Sequence, residues 1–403
     1  MLNTVESKNE KVYNIFYDLK SYIELNDYKG YDPYDGLKSK FFKTMPISKI
    51  PFFRIAWTQF IKKFPLNIRN FVGIKKGHNP KALALILSSY CNVYNTSIQS
   101  TDNLRELRKS IRRLADILIM MRNNDYSGAC WGYEFDWNSR AFYLPKFTPT
   151  IVCTSFVLDA LVKAFGILDD DHIHDCIVSS KEFILNDLNR IKKQNGSFVF
   201  SYSPIDKRAV YNASLLGVKS LALIYSLTDD ISLKEIAHNA VVAACNNQLL
   251  SGAFRHSDQV GDKWRDNFHT GFKIECLSIY QKTFNDDNFK ENINIGLKYW
   301  LSNFFLPNGI PKYYDNKIYP IDLHTVGQMI PTLYHSDSIE ENHTSILKTL
   351  NWSFDNMLKK NGSFYFQMHR YWKNKIEYLR WPNAWMLYGI SYYIKYLTDD
   401  KKH

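Results

Sequence analysis

Acidic residues are missing from Gly36 to Thr101, a stretch that holds eleven basic ones: Lys38, Lys40, Lys43, Lys49, Arg54, Lys62, Lys63, Arg69, Lys75, Lys76 and Lys81. Elsewhere the 403-residue chain has forty basic and forty acidic residues, so its net charge of +11 belongs to one N-terminal segment. Glycine and proline are scarce, at 17 and 13, which excludes a collagenous or low-complexity chain. Long apolar runs are also lacking. The longest near the start, Ala82 to Leu87, falls well short of the roughly 18 residues of a membrane span, and none is expected. The first residues have neither a basic head nor an apolar h-region, so no secretory signal is expected. Six scattered cysteines form no C-x-x-C pair and read as reduced core thiols of a cytoplasmic protein, with no metal site. The P-loop and the G-x-G-x-x-G fingerprint are absent, and no cofactor is expected. D-x-D-D is absent too, and Asp169-Asp170-Asp171-His172 lacks the last acid of a diphosphate site and reads as a helix end. Cys130-Trp131-Gly132 lacks the Cys-His pair that a zinc cyclase would need after it.

Apolar residues make up 45% of the chain and aromatics 15%, enough for a large core. They are organised by a repeat. A glycine followed closely by an aromatic or proline recurs at Gly132, Gly196, Gly252, Gly309 and Gly362. Polar and aromatic residues follow each glycine and lead into a helix-periodic apolar stretch. These stretches align on Thr154, Ser214, Thr270, Thr325 and Asn383, with small or hydroxyl residues that suit helix N-caps. A second helical segment precedes the next glycine, as in 233–250, 289–304 and 346–358. Each unit is thus a helical hairpin, and Pro80 to Tyr94 reads as a sixth inner helix. Six hairpins in series close into a ring with the apolar helices inside. The expected fold class is therefore all-α, an (α/α)6 toroid over 79–403, preceded by a basic, partly amphipathic helical extension over 1–78.

This loop-and-helix pattern resembles the six-hairpin glycosidase-like and terpenoid-cyclase-like toroid superfamilies. The opening Gly30-Tyr31-Asp32-Pro33-Tyr34-Asp35-Gly36-Leu37, with Arg380-Trp381-Pro382-Asn383-Ala384-Trp385 near the end, resembles a bacterial family common in capsule and O-antigen polysaccharide loci. That resemblance implies work on a bacterial envelope glycan.

In such a ring the loops entering the inner helices converge at one mouth. Two successive repeats place histidine there, His269 and His324, each with an acid just upstream, Asp266 and Asp322. A helix N-terminus favours neutral imidazole, which can accept a proton near pH 7. The two histidines are therefore expected as an acid/base pair, with Tyr211 as auxiliary. Arg208 and Arg380 suit bidentate binding of a substrate carboxylate. Trp131, Trp264 and Trp381 offer faces to sugar C–H groups, and Glu134 and Glu377 are the rim carboxylates. The expectation is an epimerase- or lyase-type enzyme acting on an acidic sugar or lipid-linked glycan of envelope polysaccharide biosynthesis. Hydrolysis by a carboxylate pair and non-catalytic glycan binding or assembly are the alternatives. Residues 38–76 mix lysine with phenylalanine. Phe53, Trp57, Phe60, Ile61 and Phe64 share one helical face, so peripheral contact with an anionic membrane, at its inner face, competes with packing on the ring. No nucleic-acid recognition motif accompanies the charge, so no nucleic acid is expected.

Overall fold

The computed structural model describes residues 2–96, 100–139, 142–259 and 261–399. Their α-helices, in chain order, are α1 (Leu2–Leu25), α2 (Lys40–Thr44), α3 (Pro51–Lys63), α4 (Pro80–Tyr94), α5 (Thr101–Met120), α6 (Ile151–Leu168), α7 (Asp171–Glu182), α8 (Tyr211–Thr228), α9 (Ser232–Cys245), α10 (Asn267–Phe284), α11 (Lys290–Phe304), α12 (His324–His335), α13 (His343–Met357) and α14 (Ala384–Asp399). Helices α4, α6, α8, α10, α12 and α14 each pack on the next, and α14 packs back on α4, so the ring closes. The fold is the expected all-α toroid. Helices α5, α7, α9, α11 and α13 lie against this ring, and α1 lies against α14. The first helix of the 1–78 extension thereby takes the sixth outer position.

The inner helices are apolar nearly all round because they are buried nearly all round. In α4 every residue from Pro80 to Val93 is buried, and Asn79 caps its start by accepting from Ala82 N–H at 3.2 Å. Helix α6 departs from the expectation of short apolar runs. Over its length it is long and apolar enough to cross a membrane, but it stands in the ring with most of its residues buried.

Two local devices repeat with the hairpins. Each of α6, α8 and α10 ends at a left-handed residue, Asp169, Asp229 or Asn285, with φ of 51°, 53° and 49°. The following Asp170, Asp230 or Asp286 then accepts backbone N–H bonds that start the next helical turn. The recurrent glycine is the second device. At Gly196, Gly252, Gly309 and Gly362 φ lies between +80° and +87°, and each N–H bonds the carbonyl three residues back. This is a tight hairpin turn that a side chain would strain. Gly132 is the exception: it serves close packing, since a Cβ there would sit 2.3 Å from the Thr148 carbonyl oxygen.

The aligned hydroxyl and amide residues are not N-caps. They lie at the helix starts or within the first turn, and three brace the incoming loop: Thr154, Ser214 and Asn383 accept from the N–H of Trp131, Phe200 and Phe364 at 3.1, 3.0 and 2.8 Å. Short antiparallel pairs stiffen the loops further. They are β1 (Trp137–Asn138) with β2 (Tyr143–Leu144), β3 (Arg190–Lys192) with β4 (Phe198–Phe200), and the sheet of β5 (Ile321–Asp322), β6 (Gln367–Met368) and β7 (Lys373–Asn374). All six cysteines are free and buried.

Candidate active site

A cavity of about 380 Å³ opens where the loops enter the ring. Five of the six inner helices contribute to it at their N-terminal ends: Lys81 from α4, Val152 from α6, Asn212 from α8, His269 from α10 and His324 from α12. Arg380 and Trp381 come from a π-helical turn, Leu379–Asn383, that leads into α14. The convergence expected from the repeat is therefore present for both histidines.

The two histidines differ in their surroundings. Asp266 is the N-cap of α10. One of its oxygens accepts from His269 N–H at 2.8 Å, and the other lies 2.7 Å from His269 Nδ1. The carboxylate thus orients the ring and leaves Nε2 for the cavity. His324 is buried between the rings of Phe268 and Trp385, at 4.0 and 4.1 Å, with Trp381 edge-on at 5.0 Å. Both of its nitrogens lack a hydrogen-bond partner among the described residues. Burial, then Lys81, His269 and Arg380, hold its pKa well below the usual imidazole value, so it is neutral. Its upstream acid plays another part. Asp322 is fully buried and outside the lining, where it accepts from His324 N–H, Gln367 Nε2 and Trp381 Nε1. Burial pushes its carboxyl up to about 6.

Both arginines border the cavity, but each is already held by an aspartate. Arg208 bonds Asp206 through Nε and Nη2, and Arg380 bonds Asp32 in the same way, the Nη2 contact being 2.8 Å. Asp32 and Arg380 belong to the two distant motifs noted in the sequence, and this buried pair joins them. Trp264 and Trp381 line the cavity as expected.

Four other candidates lie elsewhere. Trp131 is wholly buried and donates to the Leu118 carbonyl at 2.7 Å, so it packs between hairpins. Tyr211 turns away to bond Asp258. Glu134 pairs with Lys38 at 2.6 Å, and Glu377 is taken up by Tyr22, Asn361 and Lys359. A helix start presents successive side chains about 100° apart, so residues adjacent in sequence cannot all face one mouth.

The cavity residues that the sequence reading missed include His256 and Lys81. The His256 ring lies tilted against Trp264, with centroids 4.0 Å apart and Nδ1 without a hydrogen-bond partner among the described residues, and burial, then His269, Lys273 and Arg208, press its pKa down to about 2. It follows the Gly252 turn directly, which was the available signal. Lys81 is buried, with Nζ 4.1 Å from the centre of the Phe156 ring and no hydrogen-bond partner among the described residues. Burial and Arg380 hold its pKa well below that of a free lysine. A lysine in the first turn of an otherwise apolar helix was its signal. Among the described residues no group of three His, Cys, Asp or Glu is placed to hold a metal ion.

Fold and site define an α/α toroid with an aromatic, histidine-bearing hub opening. No protein-family model matches the chain, and no curated protein sequence does. Solved structures do match in fold. An unsaturated glucuronyl hydrolase specific for heparin aligns with a TM-score of 0.64 at 12% identity, over 98% of both chains. Cellobiose 2-epimerase from Bacillus thermoamylovorans aligns with a TM-score of 0.59 at 12% identity, over 78% of this chain and 87% of its own. A polysaccharide lyase aligns with a TM-score of 0.55 at 11% identity, over 80% and 92%.

Proposed function

We propose that this protein is a carbohydrate-active enzyme that moves a proton at a sugar carbon next to a carbonyl or carboxylate, by epimerisation or lyase-type elimination. One observation carries the reading: an Asp266–His269 pair shares a cavity with a neutral histidine whose ring nitrogens have no hydrogen-bond partner among the described residues. His269 Nε2 takes the proton, and Asp266 stabilises the imidazolium that forms. The electron pair passes to the substrate oxygen. The neutral ring of His324 hydrogen-bonds that oxygen as charge builds on it. The planar intermediate then turns its other face to His269, and the imidazolium returns the proton there, giving the epimer. Alternatively the proton leaves with an oxygen expelled from the neighbouring carbon, giving an unsaturated product. Both routes balance without an oxidant. Aromatic rings around the opening suit sugar faces, and Arg208 and Arg380 line the cavity and engage their aspartates through Nε and Nη2 alone, so Nη1 of each is assigned to an acidic group of the substrate. The epimerase and lyase among the similar folds favour the same chemistry. The substrate we assign is an acidic sugar or lipid-linked glycan of envelope polysaccharide biosynthesis, on the strength of the two terminal motifs.

Hydrolysis keeps a foothold in the lining carboxylates Asp262 and Asp266 and in the fold likeness to a glucuronyl hydrolase. Solvent-deuterium exchange separates the readings. Full-length protein is incubated in D₂O with reducing disaccharides and uronate oligosaccharides, then followed by NMR. Deuterium at carbon, or a new C=C bond, is expected with the native protein. It should be lost in His269→Ala and fall about a hundredfold or more in Asp266→Asn, with thermal unfolding unchanged because Asn also caps helices well. Glycoside cleavage without carbon-bound deuterium, undiminished in His269→Ala, would refute the proposal.

A further inference from the structure

The segment around α2 and α3 presents an unusual surface. Among the described residues, twenty large apolar or aromatic side chains are exposed, and eight of them fall between Phe41 and Phe71. Phe71 is 90% exposed, Phe52 71% and Leu66 67%. On α3 the buried positions are Thr58 and Ile61, while Phe52, Ala56 and Phe60 run down the opposite, exposed stripe at a spacing of four. The apolar face of this helix is therefore only partly spent: Ile61 is buried and Trp57 packs against the core, while Phe52 and Phe60 stay exposed. The cation supply is similarly unspent. Lys40, Lys43, Lys49, Lys63 and Lys75 are exposed and have no carboxylate partner among the described residues. The loop bearing Phe71 lies beside α2, with Phe41 N–H donating to the Val72 carbonyl and Ser39 Oγ to the same oxygen. Phe41, Phe71 and Lys40 are thus neighbours, and α2, α3 and this loop form one continuous arm.

We propose that this arm is a docking surface for an anionic lipid bilayer. Charge complementarity selects that occupant. Unpaired lysines suit acidic headgroups, and protruding phenylalanines suit insertion at the level of the acyl boundary. The apolar side chains are distributed over two helices and a loop instead of lining a groove, which fits a flat partner better than a bound helix. The arm also touches the cavity: Lys62, on α3, bonds Tyr34 OH at 2.9 Å, and Tyr34 lines the opening. Bilayer contact and substrate access thus share one helix. This inference does not depend on the chemistry proposed above.

Vesicle co-sedimentation of the full chain tests it. Phosphatidylcholine vesicles are compared with vesicles carrying about one-third phosphatidylserine, at low and high salt. The native protein should bind the anionic vesicles at low salt and release in high salt. Phe52→Ser with Phe71→Ser, and separately Lys43→Glu with Lys49→Glu, should each weaken binding by about tenfold or more. Lys290→Glu with Lys298→Glu, the same charge change on α11, should leave it unaltered. All variants alter exposed side chains, and thermal unfolding reports that they fold. No vesicle binding, equal binding to neutral vesicles, or an equal loss in the α11 variant would overturn the proposal. So would binding only to a soluble polyanion such as RNA.

Discussion

Lys81 carries a burial cost that no ion pair or hydrogen bond among the described residues offsets. Its ammonium has three aromatic rings within cation–π range, at 4.1, 5.0 and 5.3 Å from their centres, but no carboxylate and no hydrogen-bond acceptor among the described residues. Burying an amine without a partner is unfavourable, so the residue does not serve stability. Lys81→Met keeps the side-chain volume and removes that penalty. Unfolding free energy should stay level or rise by about 1–3 kcal/mol, while turnover of the substrate found by deuterium exchange falls. Urea unfolding and kinetics on the same preparation check both. A stability loss with activity intact would make Lys81 a packing residue. The contrast with Arg380 is instructive. Both line the cavity, but Asp32 pairs with the arginine, which leaves Lys81 as the amine at the opening without an ion-pair partner among the described residues.

At the scale of the element, the hairpins were legible because burial writes itself into periodicity. Gly252-Ala-Phe and its equivalents mark a turn that needs positive φ, and the apolar stretches after them are the inner helices. His269 and His324 were legible for the same reason, as matched positions of a repeat. Side-chain direction was not. Tyr211 and Asn212 are neighbours at the start of α8, yet only Asn212 lines the cavity, because one residue turns the helix by about 100°. Partners distant in sequence were also hidden. Nothing local shows that Glu134 meets Lys38, or that Asp32 meets Arg380. Close helix contact was hidden as well. A Cβ at Gly327 of α12 would lie 2.3 Å from the Trp385 carbonyl oxygen of α14, and Gly389 meets Gly327 from the other side. Both obstacles are backbone and cannot rotate away. Gly327→Ala should therefore force α12 and α14 apart and destabilise the protein by about 1–3 kcal/mol, despite the better helix propensity of alanine. Gly166→Ala on α6, where a Cβ meets nothing within 4 Å, is the matched control and should be neutral or stabilising in the same urea titration.

Across the whole molecule, the ring is tied at its hub by a polar network that draws on all six inner helices. Ser88 of α4 and Lys163 of α6 both donate to Asp159, at 3.2 and 2.7 Å. Lys219 of α8 bridges Asp159 and Glu275 of α10, at 3.3 and 2.8 Å. Gln328 of α12 donates to Glu275 at 2.6 Å, and Lys163 reaches Tyr392 of α14 at 2.9 Å. Tyr392 OH lies 3.0 Å from His335 Nε2, on α12. Breaking such a buried set by removing one charge costs far more than a surface pair would, because the remaining partner is stranded. His335 gives the network a pH signature. Burial presses its pKa from 6.5 down to about 4, and the nearby Lys219 and Lys163 act in the same direction. The unfolded chain therefore takes up this proton first as pH falls. Stability held by the neutral ring is complete above about pH 6.5 and is lost progressively toward pH 4, with a slope approaching one proton, about 1.4 kcal/mol per pH unit. His335→Gln keeps a hydrogen-bonding amide for Tyr392 and removes the titration. Urea midpoints measured from pH 7 to 4 should fall more steeply for the native protein than for this variant. Parallel curves would mean that His335 binds its proton equally in both states, and that the hub does not exclude charge at that position.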